Sequence, residues 1–121
     1  MDLNLKIDVK HKKDIVIISP KGELDDYNAP KLNDLFMKLI NEDNKRKFVV
    51  NLEETSYVDS VGLGTIVLAS KKLASLDGML SLVCAKPQII KLLDSSGVMS
   101  MIKRNISLFN TLNEALDSMS K

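Results

Sequence analysis

The sequence predicts an α/β fold: a mixed, mostly parallel β-sheet that opens with an antiparallel hairpin and packs against about four α-helices. Three observations carry this expectation. Short runs such as Ile15-Val16-Ile17-Ile18 and Phe48-Val49-Val50-Asn51-Leu52 are apolar and largely β-branched, as suits strands covered on both faces. Segments between such runs repeat their apolar residues at helical spacing. The two kinds alternate along the chain, and strands alternating with helices imply right-handed crossovers and a parallel sheet. At 121 residues, one domain spanning 1–121 accounts for the whole chain. A chain of this size buries roughly two thirds of its unfolded surface and needs no disulfide or metal to fold.

Each element has its own signal. Leu3, Leu5, Ile7 and Val9 alternate with polar residues, which predicts a half-buried strand near a sheet edge. His11-Lys12-Lys13-Asp14 reads as a polar turn joining it to the Ile15–Ile18 strand as a hairpin. Residues 22–28 read as a polar loop. Asn28 is placed to cap a helix, with Pro30 in its first turn. Leu32, Leu35, Phe36, Leu39 and Ile40 make that helix's inner face, and the charged stretch 41–47 ends it. After the Phe48–Leu52 strand, Asp59 or Ser60 caps a helix whose inner stripe is Leu63, Ile66, Val67, Leu73 and Ala74, with Gly78 at its stop. Leu80–Cys84 reads as a strand. Pro87 opens a short helix with Ile89, Ile90 and Leu93 inside, ended by Gly97. Ile106-Ser107-Leu108 reads as a weaker strand. Thr111 with Glu114 forms a capping box ahead of Leu112, Ala115, Leu116 and Met119. The expected order is ββαβαβαβα.

Composition excludes much chemistry. The net charge is +1, from 17 basic and 16 acidic residues, so nothing global draws the chain to nucleic acid or an anionic membrane. Aromatic content of 4 % leaves no stacking platform for single strands, and Lys10–Lys13 and Lys45-Arg46-Lys47 read as solvated charge. A single cysteine, Cys84, and a single histidine, His11, argue against a disulfide framework, a multi-cysteine zinc site and most catalytic triads. Cys84 reads as a small apolar residue, and Met99 and Met101 as core filler. No apolar run approaches the roughly 20 residues of a membrane helix, and the N-terminus lacks a signal pattern. The expected compartment is the cytoplasm, and the Asn105-Ile106-Ser107 sequon reads as chance.

Two loops are placed for function, because ligands and partners of open α/β sheets gather beyond the carboxyl ends of the strands. One is Gly22-Glu23-Leu24-Asp25-Asp26-Tyr27; the other is Tyr57-Val58-Asp59-Ser60-Val61-Gly62-Leu63-Gly64. Ser60 lies at a helix start, where free N–H groups and the helix dipole favour negative charge. That suits a phosphoacceptor, and it equally suits a plain serine cap. Gly62 and Gly64 allow close approach of a strand or a partner backbone; without a third glycine they make no nucleotide site. Asp25, Asp26 and Asp59 read either as turn and capping residues or as an acid/base set working with Ser60 in a small hydrolase or transferase. The loops carry no histidine or lysine, no nucleophile elbow and no metal-binding register.

These residues resemble a known family. Gly22-Glu23-Leu24-Asp25 after a strand, and Val49-Val50-Asn51-Leu52 leading to Tyr57-Val58-Asp59-Ser60-Val61-Gly62-Leu63-Gly64, resemble the STAS domain and specifically the bacterial anti-sigma factor antagonists. Leu93-Asp94-Ser95-Ser96-Gly97-Val98 is a softer match, and the resemblance spans almost the whole chain. It implies a single STAS-like domain and a switch protein that is not an enzyme and holds no cofactor or metal. Such an antagonist binds an anti-sigma factor that is also an ATP-using serine kinase, and thereby frees a sigma factor. Phosphorylation ends the binding, and a metal-dependent serine phosphatase restores it. Carried across, Ser60 is the phosphoacceptor, Asp59 its preceding motif residue and Asp25 the aspartate of the first loop. Gly22 to Tyr27, with Asp59 and Val61 to Gly64, then form the partner-binding and switch loops. Val61 departs from the small or hydroxylated residue found at this place in many relatives; it removes a second acceptor and presents an apolar side chain. The resemblance leaves one alternative: an unphosphorylated STAS adaptor subunit of a membrane transport or lipid-trafficking complex.

Overall fold

The run Ile15-Val16-Ile17-Ile18 forms the first half of strand β2 (Ile15–Leu24), and all four side chains are buried. Side chains alternate across a strand. Val16 and Ile18 therefore enter a large apolar cluster on one face of the sheet, while Ile15 and Ile17 enter a small one on the other. The computed structural model describes residues 5–95 and 106–120. In chain order these form β1 (Lys6–Lys12), β2, α1 (Ala29–Met37) with a π-helical continuation (Lys38–Glu42), β3 (Lys47–Asn51), β4 (Thr55–Val58), α2 (Ser60–Ser75), β5 (Met79–Val83), α3 (Pro87–Ser95), β6 (Ile106–Phe109) and α4 (Leu112–Met119).

The strands lie in the order β1-β2-β3-β5-β6, with β4 paired to β2. β1 and β2 form an antiparallel hairpin closed between Lys12 and Ile15. The remaining pairs are parallel, so β2, β3, β5 and β6 end at the same side. β3 runs beside Ile15–Ile18 of β2, and β4 beside Gly22–Leu24.

Residues of α1, α2 and α3 share the large cluster with Val16, Ile18, Phe48, Val50, Leu80 and Leu82. Phe36 of α1 meets Phe48 edge-on, with centroids 5.7 Å apart, a favoured aromatic geometry. The π-helical turn after α1 carries both Leu39 and Ile40 into the core. α4 covers the other face, setting Ala115, Leu116 and Met119 against Ile15, Ile17, Val49 and Val83.

The predicted fold class holds, with local corrections. A strand absent from the predicted order, β4, takes Tyr57 and Val58 out of their loop. β2 runs on to Leu24, so Gly22, Glu23 and Leu24 belong to a strand. His11 and Lys12 extend β1, and the turn shrinks to Lys13 and Asp14, with Lys13 left-handed at φ 56°. Asn28 makes no side-chain cap on α1. Ala74 of the predicted α2 stripe is exposed, and Ala69 and Ser70 are buried instead. α2 stops through a left-handed Asp77 (φ 59°), not through Gly78. Gly78 N–H donates to Leu73 O at 2.7 Å and Asp77 N–H to Ala74 O at 3.3 Å, the two bonds of a Schellman ending. Leu3, Gly97, Met99, Met101 and Asn105 lie outside the described residues. No helix of the described residues is long and apolar enough to cross a membrane.

Candidate functional site

The two loops picked out from sequence meet at the carboxyl end of β2. The contact begins with backbone. β4 lies parallel to the last residues of β2, pairing Glu23 with Tyr57 and Leu24 with Val58. The register shifts between Gly22 and Glu23, where Gly22 adopts φ 115°, a conformation glycine reaches without a Cβ clash. Thr55, fully buried, donates its hydroxyl to Pro20 O at 2.7 Å. Lys86, in the connection between β5 and α3, donates its ammonium to Thr55 O at 2.6 Å. Thr55 and Lys86 thus fasten β4 from two sides, a role no sequence motif announces.

Asp59 follows β4 and is the N-cap of α2. Its N–H donates to Leu24 O at 3.2 Å, and its carbonyl accepts Leu63 N–H at 3.0 Å. Its carboxylate is bidentate: Oδ1 accepts Gly62 N–H at 2.8 Å and Oδ2 accepts Asp26 N–H at 3.0 Å. Asp59 and Asp26 are 33 residues apart, so this one side chain joins both loops. Gly62 is buried against β2; a Cβ there would lie 2.8 Å from Leu24 Cγ and closer still to Leu24 O. A larger residue would push α2 off the strand end.

The first loop is braced by its own side chains. Asp25 Oδ1 accepts Asn28 N–H at 3.0 Å, and Asp25 O accepts Ala29 N–H at 2.8 Å. Asn28, buried, turns its amide inward and donates to Glu23 O at 3.0 Å. Asp25 therefore makes the turn, as one of its two sequence readings has it, while Asn28 does not cap α1.

Ser60 is the first residue of α2 and is exposed. The first turn of α2 carries no acidic residue of its own, so within the helix the cap carboxylate of Asp59 is the acidic group at this start. The segments that meet here expose apolar side chains: Tyr27 is 74 % exposed, Tyr57 52 %, and on α2 Val61 51 % and Leu68 62 %. Val61, Gly64 and Leu68 follow at i, i+3 and i+7, along one outer stripe of α2. A Cβ at Gly64 would find nothing within 4 Å. Of the other residues assigned to the switch loops, Glu23 and Asp26 are exposed and Asp25 half-buried, whereas Leu24 and Leu63 are fully interior. Those two leucines seat the loops and present nothing outward.

The remaining singular groups lie elsewhere. Cys84 is buried just after β5, and burial pushes its thiol up from the ordinary value, so it stays protonated and weakly nucleophilic. A cavity of ≈ 260 Å³ lined by Asp14, Asp43, Asn44, Lys45, Arg46 and Lys47 sits at the amino ends of β2 and β3, opposite Ser60. Two of its cations are engaged: Arg46 donates to Ile40 O and Lys45 O, each at 2.9 Å, and Lys47 pairs with Asp14 at 3.1 Å.

The family model for the STAS domain matches residues 6–115. The chain is 30 % identical over 100 residues to an anti-sigma-B factor antagonist of Bacillus subtilis, covering 83 % of this chain and 90 % of that one. It is 31 % identical over 103 residues to an anti-sigma-B factor antagonist of Staphylococcus aureus, covering 85 % and 94 %. Among solved structures, an anti-sigma factor antagonist from Mycobacterium paratuberculosis superposes with a TM-score of 0.84 at 22 % identity, covering 98 % of this chain and 96 % of that one. The antagonist SpoIIAA in its unphosphorylated form superposes at 0.73 and 19 % identity, covering 97 % and 98 %. At these identities the superpositions show a shared fold.

Proposed function

Since the chain belongs to the STAS domain family, we propose that it acts as an anti-sigma factor antagonist whose docking is switched off by phosphate on Ser60. Its partner is an anti-sigma factor. In the docked state the exposed Tyr27, Tyr57, Val61 and Leu68 supply apolar contact, and Ser60 sits among them. The observation that carries the reading is that Ser60 is an exposed residue at the first position of α2, followed directly by the exposed apolar Val61. The chain is a docking switch; the covalent chemistry belongs to its partners. The anti-sigma factor acts as the serine kinase and uses ATP, and a metal-dependent phosphatase removes the phosphate.

The physics of the switch follows from placement. A phosphoserine carries about −1.5 to −2 charges at pH 7. Within the chain, the amides and dipole of the helix start favour it, while the carboxylate of Asp59 one residue away disfavours it. At a docked surface it must be desolvated among apolar side chains, which is costly without a dedicated partner group. A loss of about 2.8 kcal/mol weakens binding a hundredfold. Incubation with the cognate kinase and ATP, followed by mapping, is expected to place phosphate on Ser60, and Ser60→Ala to abolish it. Phosphate on another residue overturns the assignment. Ser60→Asp binding the anti-sigma factor as tightly as the unmodified chain overturns the charge mechanism.

A further inference from the structure

The helix start and the first loop are separate elements that share one carboxylate. Three of the four hydrogen bonds of Asp59 stay local to α2 and the strand end that supports it: N–H to Leu24 O, carbonyl from Leu63 N–H, and Oδ1 from Gly62 N–H. The fourth, Oδ2 from Asp26 N–H, does nothing for α2. Capping requires one oxygen; a serine or threonine in this place would cap equally well and would be too short to span to the other loop. The second oxygen is spent on the neighbour of Tyr27, the most exposed large apolar side chain among the described residues.

We infer that Asp59 is a positioning residue: its Oδ2 holds the Asp25–Tyr27 loop on the start of α2, so that Tyr27 and Ser60 meet a partner as one preformed surface. The inference deepens the docking reading and rests on it for its consequence in binding. A loop tied in place loses less freedom on docking than a loose one, and preorganisation of that kind raises affinity without adding a contact. The bond is charge-assisted, carboxylate to backbone N–H, and such bonds are the stronger kind. The bond from Asp25 Oδ1 to Asn28 N–H fixes the far side of the same loop. The segment is thereby pinned at both ends, with Tyr27 between them.

Two variants test this from opposite sides of the bond. Asp59→Ser keeps a capping oxygen for Gly62 N–H and removes the reach to Asp26. Asp26→Pro removes the donor and leaves Asp59 intact. Amide spectra of the ¹⁵N-labelled full chain read the bridge without any partner: in Asp59→Ser the Asp26 amide is expected to shift upfield and to exchange at least tenfold faster, with the amides of Gly62 and Leu63 little changed. Binding to the anti-sigma factor purified from the same genome is expected to weaken about tenfold in each variant, and no further in the double variant, since both remove one bond. An Asp26 amide that exchanges equally in Asp59→Ser and the parent chain overturns the inference. So does additive weakening in the double variant, or binding at parental strength in both. If the parent chain itself fails to bind that anti-sigma factor, the docking reading falls, and the amide measurement still decides the bridge.

Discussion

Helices α2 and α4 start at the same side of the sheet, and their first turns are finished differently. At α4, Thr111 Oγ1 accepts Glu114 N–H at 3.2 Å and donates to the Glu114 carboxylate at 3.1 Å. The place where the dipole favours an anion is filled from within the helix itself. At α2 the first turn has no acid, the cap carboxylate is shared with a distant loop, and the adjoining serine is exposed. α4 has a closed start that only anchors a helix. α2 has no acid of its own in the first turn, and under the proposed function this is the start that would receive the phosphate. The same local chemistry thus gives a cap closed within its own helix or one shared with another loop, depending on where one carboxylate is directed.

Substitutions can break or sharpen this contrast. The largest effect on folding is expected at Gly62. Gly62→Ala places a methyl group against Leu24 and should cost about 1–3 kcal/mol by overpacking, read as a lower urea midpoint with unchanged slope. Next comes the closed start: Thr111→Ala should cost about 1 kcal/mol, a usual value for a lost cap, while binding to the anti-sigma factor stays as in the parent chain. Retained stability in Thr111→Ala would show that the closure at α4 is idle. A smaller effect of opposite sign is expected at Gly64, whose Cβ direction is empty. Gly64→Ala should stabilise the chain by about 0.5–1 kcal/mol through helix propensity, and any loss of docking would mark that bare spot as a partner contact. The smallest effect lies at the far end of the sheet, a baseline for both starts. The hydrogen bond from Lys47 holds the Asp14 carboxyl below its ordinary value of 3.8. The pair's contribution is present above that value and fades as pH falls through the lowered one. Carboxyl titration by NMR should show Asp14 below 3.8, with Lys47→Met returning it toward that value.

The architecture was legible because periodicity reports it. The unalternating Ile15–Ile18 run has one set of side chains under α1 to α3 and the other under α4, as a strand covered on both faces requires. The capping partners Thr111 and Glu114 were legible because three residues separate them. What escaped was held by contacts distant in sequence. β4 spans four residues with a buried-exposed-exposed-buried pattern, which is no period-two signal, and its partner is the bulged end of β2. The sequence shows the site in two pieces. Their residue types were visible, but their junction, Asp59 to Asp26, crosses 33 positions and has no local signature. Asn28 looked like a cap because its composition fits one; its amide is instead drawn inward to Glu23 O. Leu24 and Leu63 entered the switch loops by adjacency, and burial removed them from the outer surface.

The kink at Gly22 has a consequence for heredity. With φ at 115° near the end of a strand, the codon for this position has almost no acceptable neighbours, whereas the exposed Glu23 beside it is under no such backbone constraint. A saturation library selected for folded protein should return a single letter at 22 and a broad alphabet at 23.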